Sequence, residues 1–97
     1  MLLSEKLKQS RKDSKLTLAT VADRLSINVS TLTRYENGKT LPPLDKLRVL
    51  STIYNVPLGY LVTDSASSMK QWISSLSPTE LQALQEFINE QLRDNQQ

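Results

Sequence analysis

The sequence predicts an all-α fold, and three observations carry that expectation. The 97-residue chain holds two glycines, Gly38 and Gly59, whereas tight hairpins need Gly or Asn at positive φ. Its leucines recur three and four residues apart, the spacing of one helix face rather than the alternation of a half-buried strand. Prolines, asparagines and short polar runs divide this pattern into segments of helix length. A hydrophobic content of 38% is enough for one modest core, so one domain with a short appendage is expected.

Residues 2–13 read as the first helix, with Leu3 and Leu7 on one face and Lys6, Lys8 and Lys12 on a solvated side. After a connection at 14–16, the Thr17 hydroxyl is placed to cap a second helix over 18–25, whose Leu18, Val21, Ala22 and Leu25 share a face. Ser26-Ile27-Asn28 stops it, and Asn28 is expected to cap a third helix over 29–36 with Leu32 and Tyr35 inward. Asn37-Gly38 ends that helix, because glycine tolerates the left-handed conformation that helix ends often need. Pro42-Pro43 closes the next loop, and a fourth helix over 44–54 carries Leu44, Leu47, Leu50 and Tyr54. Asn55-Val56-Pro57 breaks it, and 58–62 makes one more short turn that packs Leu58 and Leu61. The domain is therefore expected to span 1–62, with the small polar residues 63–68 as a linker and 69–97 as a C-terminal helical segment. In that segment Met69, Trp72, Ile73 and Leu76 have helical spacing. Ser77-Pro78-Thr79-Glu80 then starts a last helix over 78–94 through a capping box.

Composition excludes much chemistry. Cysteine and histidine are absent, which removes disulfides, Cys/His zinc sites, thiol catalysis and the commonest general base. There is no nucleophile–base pair, no metal cluster and no glycine-rich phosphate loop, so neither an enzyme nor a cofactor is expected. No apolar run approaches the roughly 20 residues that span a bilayer. Leu2-Leu3 runs at once into Ser4, Glu5 and Lys6, unlike a signal-peptide core; a cytoplasmic protein is expected. Residues 69–97 are too few to enclose a pocket of about 300 Å³, so no small-molecule ligand is expected. Charge is divided unevenly: residues 1–61 carry ten Lys/Arg against five acids, and residues 62–97 carry two against five. Such a division suits a first part that faces a polyanion, although it is equally what two ordinary solvated surfaces would show.

The central feature is a pair of short helices joined by a three-residue turn, the second followed by Glu36-Asn37-Gly38-Lys39. Physically this is a helix-turn-helix, in which the first helix braces across the backbone and the second lies in the DNA major groove. Ser30, Thr33, Arg34 and Asn37 fall at i, i+3, i+4 and i+7 on its outward face, with Val29 at the tip. Hydroxyls bond several base edges, a Val or Thr methyl meets a thymine methyl, and an arginine binds guanine bidentately. Val29, Ser30, Thr33 and Arg34 are therefore the expected base-reading residues.

The stretch from Leu7 to Leu61 resembles the lambda-repressor-like helix-turn-helix domains of the xenobiotic-response-element class. The matching pieces are Leu7-Lys8-Gln9-Ser10-Arg11, Leu16-Thr17, Val21-Ala22 and the run from Ile27 through Leu32 and Tyr35 to Lys39, with Pro42, Leu44, Leu47 and Leu50 in register. The resemblance implies a five-helix fold and a homodimer on a twofold-symmetric DNA operator. It also implies phosphate contacts from Thr17, Leu18 and Thr31 and from Asn37, Lys39 and Thr40, and a structural ion pair between Arg11 and Glu36. The chain departs from the family pattern at Leu18, where a polar residue is common, at Ser26, where the turn has glycine, and at Ser51 and Tyr54, which replace Ala and Leu.

Met69, Trp72, Ile73, Leu76, Leu81, Leu84, Phe87, Ile88 and Leu92 form two apolar stripes. They pack either against their own domain or, as a helical hairpin, against a second chain; the second is favoured, because a palindromic site needs two recognition helices. The reading that follows is a bacterial or phage transcriptional regulator, most simply a repressor. The alternatives are an antitoxin whose C-terminal helices mask a toxin, or an interaction adaptor whose helix-turn-helix has lost DNA binding.

Overall fold

The structure, a computed structural model, describes residues 2–63 and 66–95, the side chains of 66–69, 94 and 95 excepted. Among the described residues the only regular elements are helices: α1 (Leu3–Asp13), α2 (Leu18–Leu25), α3 (Val29–Glu36), α4 (Leu44–Ile53), α5 (Leu58–Val62), α6 (Ala66–Ile73) and α7 (Pro78–Asn95). The first four helices end alike. Lys15, Ser26, Gly38 and Asn55 all take positive φ. Beyond each, a backbone N–H reaches back across the last turn: Leu16 to Arg11 O, Ile27 to Ala22 O, Lys39 to Arg34 O and Val56 to Ser51 O. This is the Schellman closure, which satisfies carbonyls that the helix leaves unpaired.

Leu7, Val21, Leu32, Leu47, Leu50 and Leu61 are almost completely buried and form the centre of the core, where α1 packs on α3 and α5 and α4 packs on α2 and α5. Two lysines serve the fold rather than the solvent. Lys6 is buried, against expectation: its ammonium donates to the Tyr60 carbonyl at 2.6 Å and lies 4.7 Å from the Tyr60 ring centre. A lysine on the edge of an apolar face lays its methylenes along the core and finds acceptors at the far end. Lys46 donates to the Leu25 carbonyl at 3.0 Å, a cation at the negative end of α2.

The C-terminal part departs most from expectation. α6 begins at Ala66 and ends at Ile73, so 66–68 of the expected linker are helical, as good helix-forming Ala and neutral Ser allow; Asp64 and Ser65 lie outside the described residues. Leu76 falls after α6, in the turn that leads into α7. Trp72 and Leu84, expected at a dimer interface, belong instead to the chain's own core. The Trp72 indole N–H donates to the buried Pro42 carbonyl at 3.0 Å. Phe87 lies over Gly59, where an added Cβ would stand 3.0 Å from the ring, so a glycine is what lets α7 approach α5. Leu76 and Ile88 are half-buried, while Ile73, Leu81 and Leu92 remain exposed. The Met69 side chain lies outside the described residues.

Folding back creates a space that residues 69–97 could not enclose alone, which corrects the ground for expecting no pocket. A cavity of about 520 Å³ lies between α7 and the α4–α5 region, lined by Leu58, Val62, Leu76, Leu84 and Phe87 with Arg48 on its rim. Its polar groups are engaged with one another: Ser51 and Thr52 donate to the Arg48 carbonyl, and Arg48 pairs with Glu80.

Glu80 fastens this arrangement at two points. Its carboxylate accepts from the Ser77 N–H while its own N–H donates to Ser77 Oγ, completing the capping box. The same carboxylate takes two bonds from the Arg48 guanidinium at 2.6 and 2.7 Å. The Arg48 bonds, then the Ser77 N–H, lower its pKa to about 2, from an ordinary value of roughly 4.3. A depressed carboxylate contributes stability that is complete above its unfolded pKa and is lost as pH falls through the folded one. Acid titration followed by circular dichroism should therefore show a stability loss between about pH 4.3 and about pH 2 that Glu80→Gln reduces. An identical acid limb in the variant would mean that the pair is not formed in solution.

Candidate nucleic-acid interface

α3 is held from behind and left open in front. Leu32 and Tyr35 are buried against the core, so Tyr35 packs rather than presenting a ring for stacking. α1 and α2 both pack on this helix. Its end is closed by Gly38 at φ 73°, with the Gly38 N–H on the Tyr35 carbonyl and the Lys39 N–H on the Arg34 carbonyl. That closure fixes the chain direction just where Lys39 and Thr40 follow.

Arg11 ties this helix to α1. Its Nε and Nη2 donate to the two Glu36 carboxylate oxygens at 2.8 and 3.1 Å, and its Nη1 donates to the Leu16 carbonyl at 3.2 Å. The Glu36 side chain is 4% exposed and that of Arg11 14%, so the pair is largely withdrawn from water. The bond to Glu36 raises the Arg11 pKa further above its ordinary value. Neither side chain is left over for a ligand. The role is to set the end of α3 against α1.

The outward side of α3 gathers Val29, Ser30, Arg34 and Asn37, all exposed, with Thr33 and Thr31 half-buried. Arg34 makes no ion pair and no side-chain hydrogen bond among the described residues. Thr33 is different. Its hydroxyl donates to the Val29 carbonyl at 2.9 Å, so its proton is committed to the helix itself. Asn28 stands at the N-cap position but makes no capping bond; the Thr31 and Leu32 N–H groups bond to its backbone carbonyl instead.

The expected phosphate-side residues divide. Thr17 is exposed and caps α2 through its oxygen, which accepts from the Thr20 N–H at 3.1 Å. Lys39 and Thr40 are exposed beyond α3. Leu18 is half-buried and packs against the core, so only its backbone is available to a phosphate there. Sequence reasoning missed Arg48, which binds Glu80 across 32 positions, and no local signal marks such a pair. Lys46 on the Leu25 carbonyl is likewise invisible from spacing alone.

Residues 7–61 match the family HTH_3, described as Helix-turn-helix. Along 90 residues the chain is 33% identical to the HTH-type transcriptional regulator ImmR of Bacillus subtilis (strain 168), covering 93% of this chain and 71% of that protein. It is 28% identical over 74 residues to the cryptic phage CTXphi transcriptional repressor RstR of Vibrio cholerae, covering 76% of this chain and 67% of RstR. A chain of the solved SinR protein/SinI protein complex has the same fold, with a TM-score of 0.61 at 20% identity over 99% of this chain and 100% of that one.

Proposed function

The chain belongs to the helix-turn-helix family of transcriptional regulators, and from that premise we propose that it represses transcription as a homodimer on a palindromic operator. The observation that carries the reading is the outward face of α3, where exposed Val29, Ser30 and Arg34 stand on a helix immobilised by its neighbours and its cap. In this reading Val29, Ser30, Thr33 and Arg34 face base edges. Thr17, the backbone at Leu18, Thr31, Asn37, Lys39 and Thr40 lie along the flanking phosphates. No catalytic step is assigned, and the protein acts in the compartment that holds its DNA, the cytoplasm.

Selection of bound duplexes from a random pool, followed by affinity measurement at several salt concentrations, tests the reading. A dimer that neutralises roughly 6–10 phosphates gives a slope of log affinity on log salt near −5 to −9. A slope near zero rejects it. Within the selected site Arg34→Ala should weaken binding by about 1–3 kcal/mol for each of the dimer's two copies, about 2–6 kcal/mol in all, and relax preference at one symmetric position. Lys39→Ala should weaken operator and random duplex alike, because phosphate carries no sequence information. Equal losses on every duplex for Arg34→Ala would make Arg34 a phosphate ligand.

For the dimer, the residues that α7 leaves uncovered are the relevant ones. Leu81 and Leu92 are 39% and 54% exposed, so charging them leaves the core intact. The double variant Leu81→Glu, Leu92→Glu should sediment as a monomer where the parent is a dimer, and should lose operator affinity. A variant that still sediments as a dimer puts the interface on another surface.

A further inference from the structure

We propose that α3 reads thymine through an apolar row made by Val29 and the methyl group of Thr33, set beside a polar row of Ser30 and Arg34. The proposal rests on α3 being the recognition helix. Residues four apart are neighbours along one helix face, so the outward surface of α3 divides into the pair Val29 and Thr33 and, about a quarter-turn away, the pair Ser30 and Arg34.

The assignment turns on what Val29 and Thr33 have left to offer a base edge. A hydroxyl has one proton to donate, and Thr33 gives it to the Val29 carbonyl at 2.9 Å. What Thr33 then offers outward is a methyl group and an oxygen that can only accept. Val29, 43% exposed at the first position of the helix, adds two more methyl groups and no polar atom. In the major groove such an oxygen finds no donor at guanine N7 and O6 or at thymine O4, while adenine N6 and cytosine N4 can donate to it, so the choice of base falls to the methyl groups. Thymine is the base with a methyl group on that edge, so it meets both side chains through apolar contact. Arg34 supplies the donors that guanine N7 and O6 require. The half-site thus carries a thymine read by Val29 and Thr33 next to a guanine read by Arg34.

The test uses the operator obtained by selection, with each thymine replaced singly by deoxyuridine, which removes the 5-methyl group and nothing else. Two variants divide the Thr33 side chain: Thr33→Val keeps the methyl and the shape, and Thr33→Ser keeps the hydroxyl. One symmetric thymine per half-site should lose about fourfold in affinity on replacement, the worth of one buried methyl. Thr33→Val should preserve that penalty, while Thr33→Ser and Val29→Ala should each diminish it. If Thr33→Val abolishes the preference and Thr33→Ser retains it, the hydroxyl is the reader and the proposal is overturned. If no deoxyuridine matters, or the selected half-site lacks thymine, while binding still depends on Arg34, the apolar row is wrong and the DNA reading stands. Failure to enrich any duplex, with a flat salt dependence, overturns both together.

Discussion

Glu36→Ala is expected to destabilise the protein by about 3–5 kcal/mol, because it strands the Arg11 guanidinium in a site built for a pair. The two groups share bidentate bonds at 2.8 and 3.1 Å, and the carboxylate is 4% exposed. Exposed ion pairs contribute little, since water already solvates both partners; a withdrawn pair behaves otherwise, since removing one partner leaves the other without solvent or counter-charge. The loss is read as a fall in Tm of the single variant. Replacing both partners together, Arg11→Met with Glu36→Leu, should recover much of it, because apolar groups of similar size need no counter-charge. A double variant as unstable as the single one would mean that the bonds themselves, including Arg11 to the Leu16 carbonyl, contribute more than the stranded charge. Either result bears on the proposed function, since the pair fixes the end of α3 and hence the direction of the face proposed to meet DNA. Operator affinity should fall in step with stability in the single variant.

How far this was legible in the sequence depends on the range of each interaction. α2 and α3 were readable to the residue, because periodicity and the Thr17 cap act within a few positions. Gly38 was recognisable as a helix end, and the glycine replaced by Ser26 was noticeable against the family pattern. Lys15 and Asn55 take the same left-handed conformation without glycine; Asn is tolerated there, but nothing marks a lysine. At the candidate site the outward residues of α3 could be listed from spacing. The bond from the Thr33 hydroxyl to the Val29 carbonyl, which commits the only proton of that hydroxyl, depends on a side-chain rotamer that spacing does not specify. Lys6 looked like a solvated lysine because its acceptor, the Tyr60 carbonyl, is 54 positions away. The apolar stripes of α6 and α7 were visible as stripes, but a stripe does not name its partner. The contacts Trp72 to Pro42 and Arg48 to Glu80, which close the hairpin on its own domain, span 30 and 32 positions.

That closure yields the second large expected effect, for Trp72→Ala. Trp72 is 3% exposed, and its indole N–H donates to the Pro42 carbonyl at 3.0 Å in a buried setting. Removing the ring leaves a cavity and an unpaired carbonyl together, at a cost of about 3–5 kcal/mol for the aromatic deletion, with a further contribution from the carbonyl. For a chain of this size each kcal/mol moves Tm by roughly 4–8 °C, so the variant should melt well over 10 °C below the parent. Trp72→Phe keeps most of the apolar area and loses the donor, and its cost should be a minor part of the alanine effect. Protein concentration then tells which chain Trp72 packs against. A contact within one chain stabilises independently of concentration, whereas a contact between chains strengthens as concentration rises, by mass action. With Trp72 packed on its own Pro42, the difference in Tm between parent and Trp72→Ala should be the same at micromolar and at hundredfold higher concentration. A difference that grows with concentration would mean that Trp72 seats in the partner's domain, with the hairpin exchanged between copies rather than folded back.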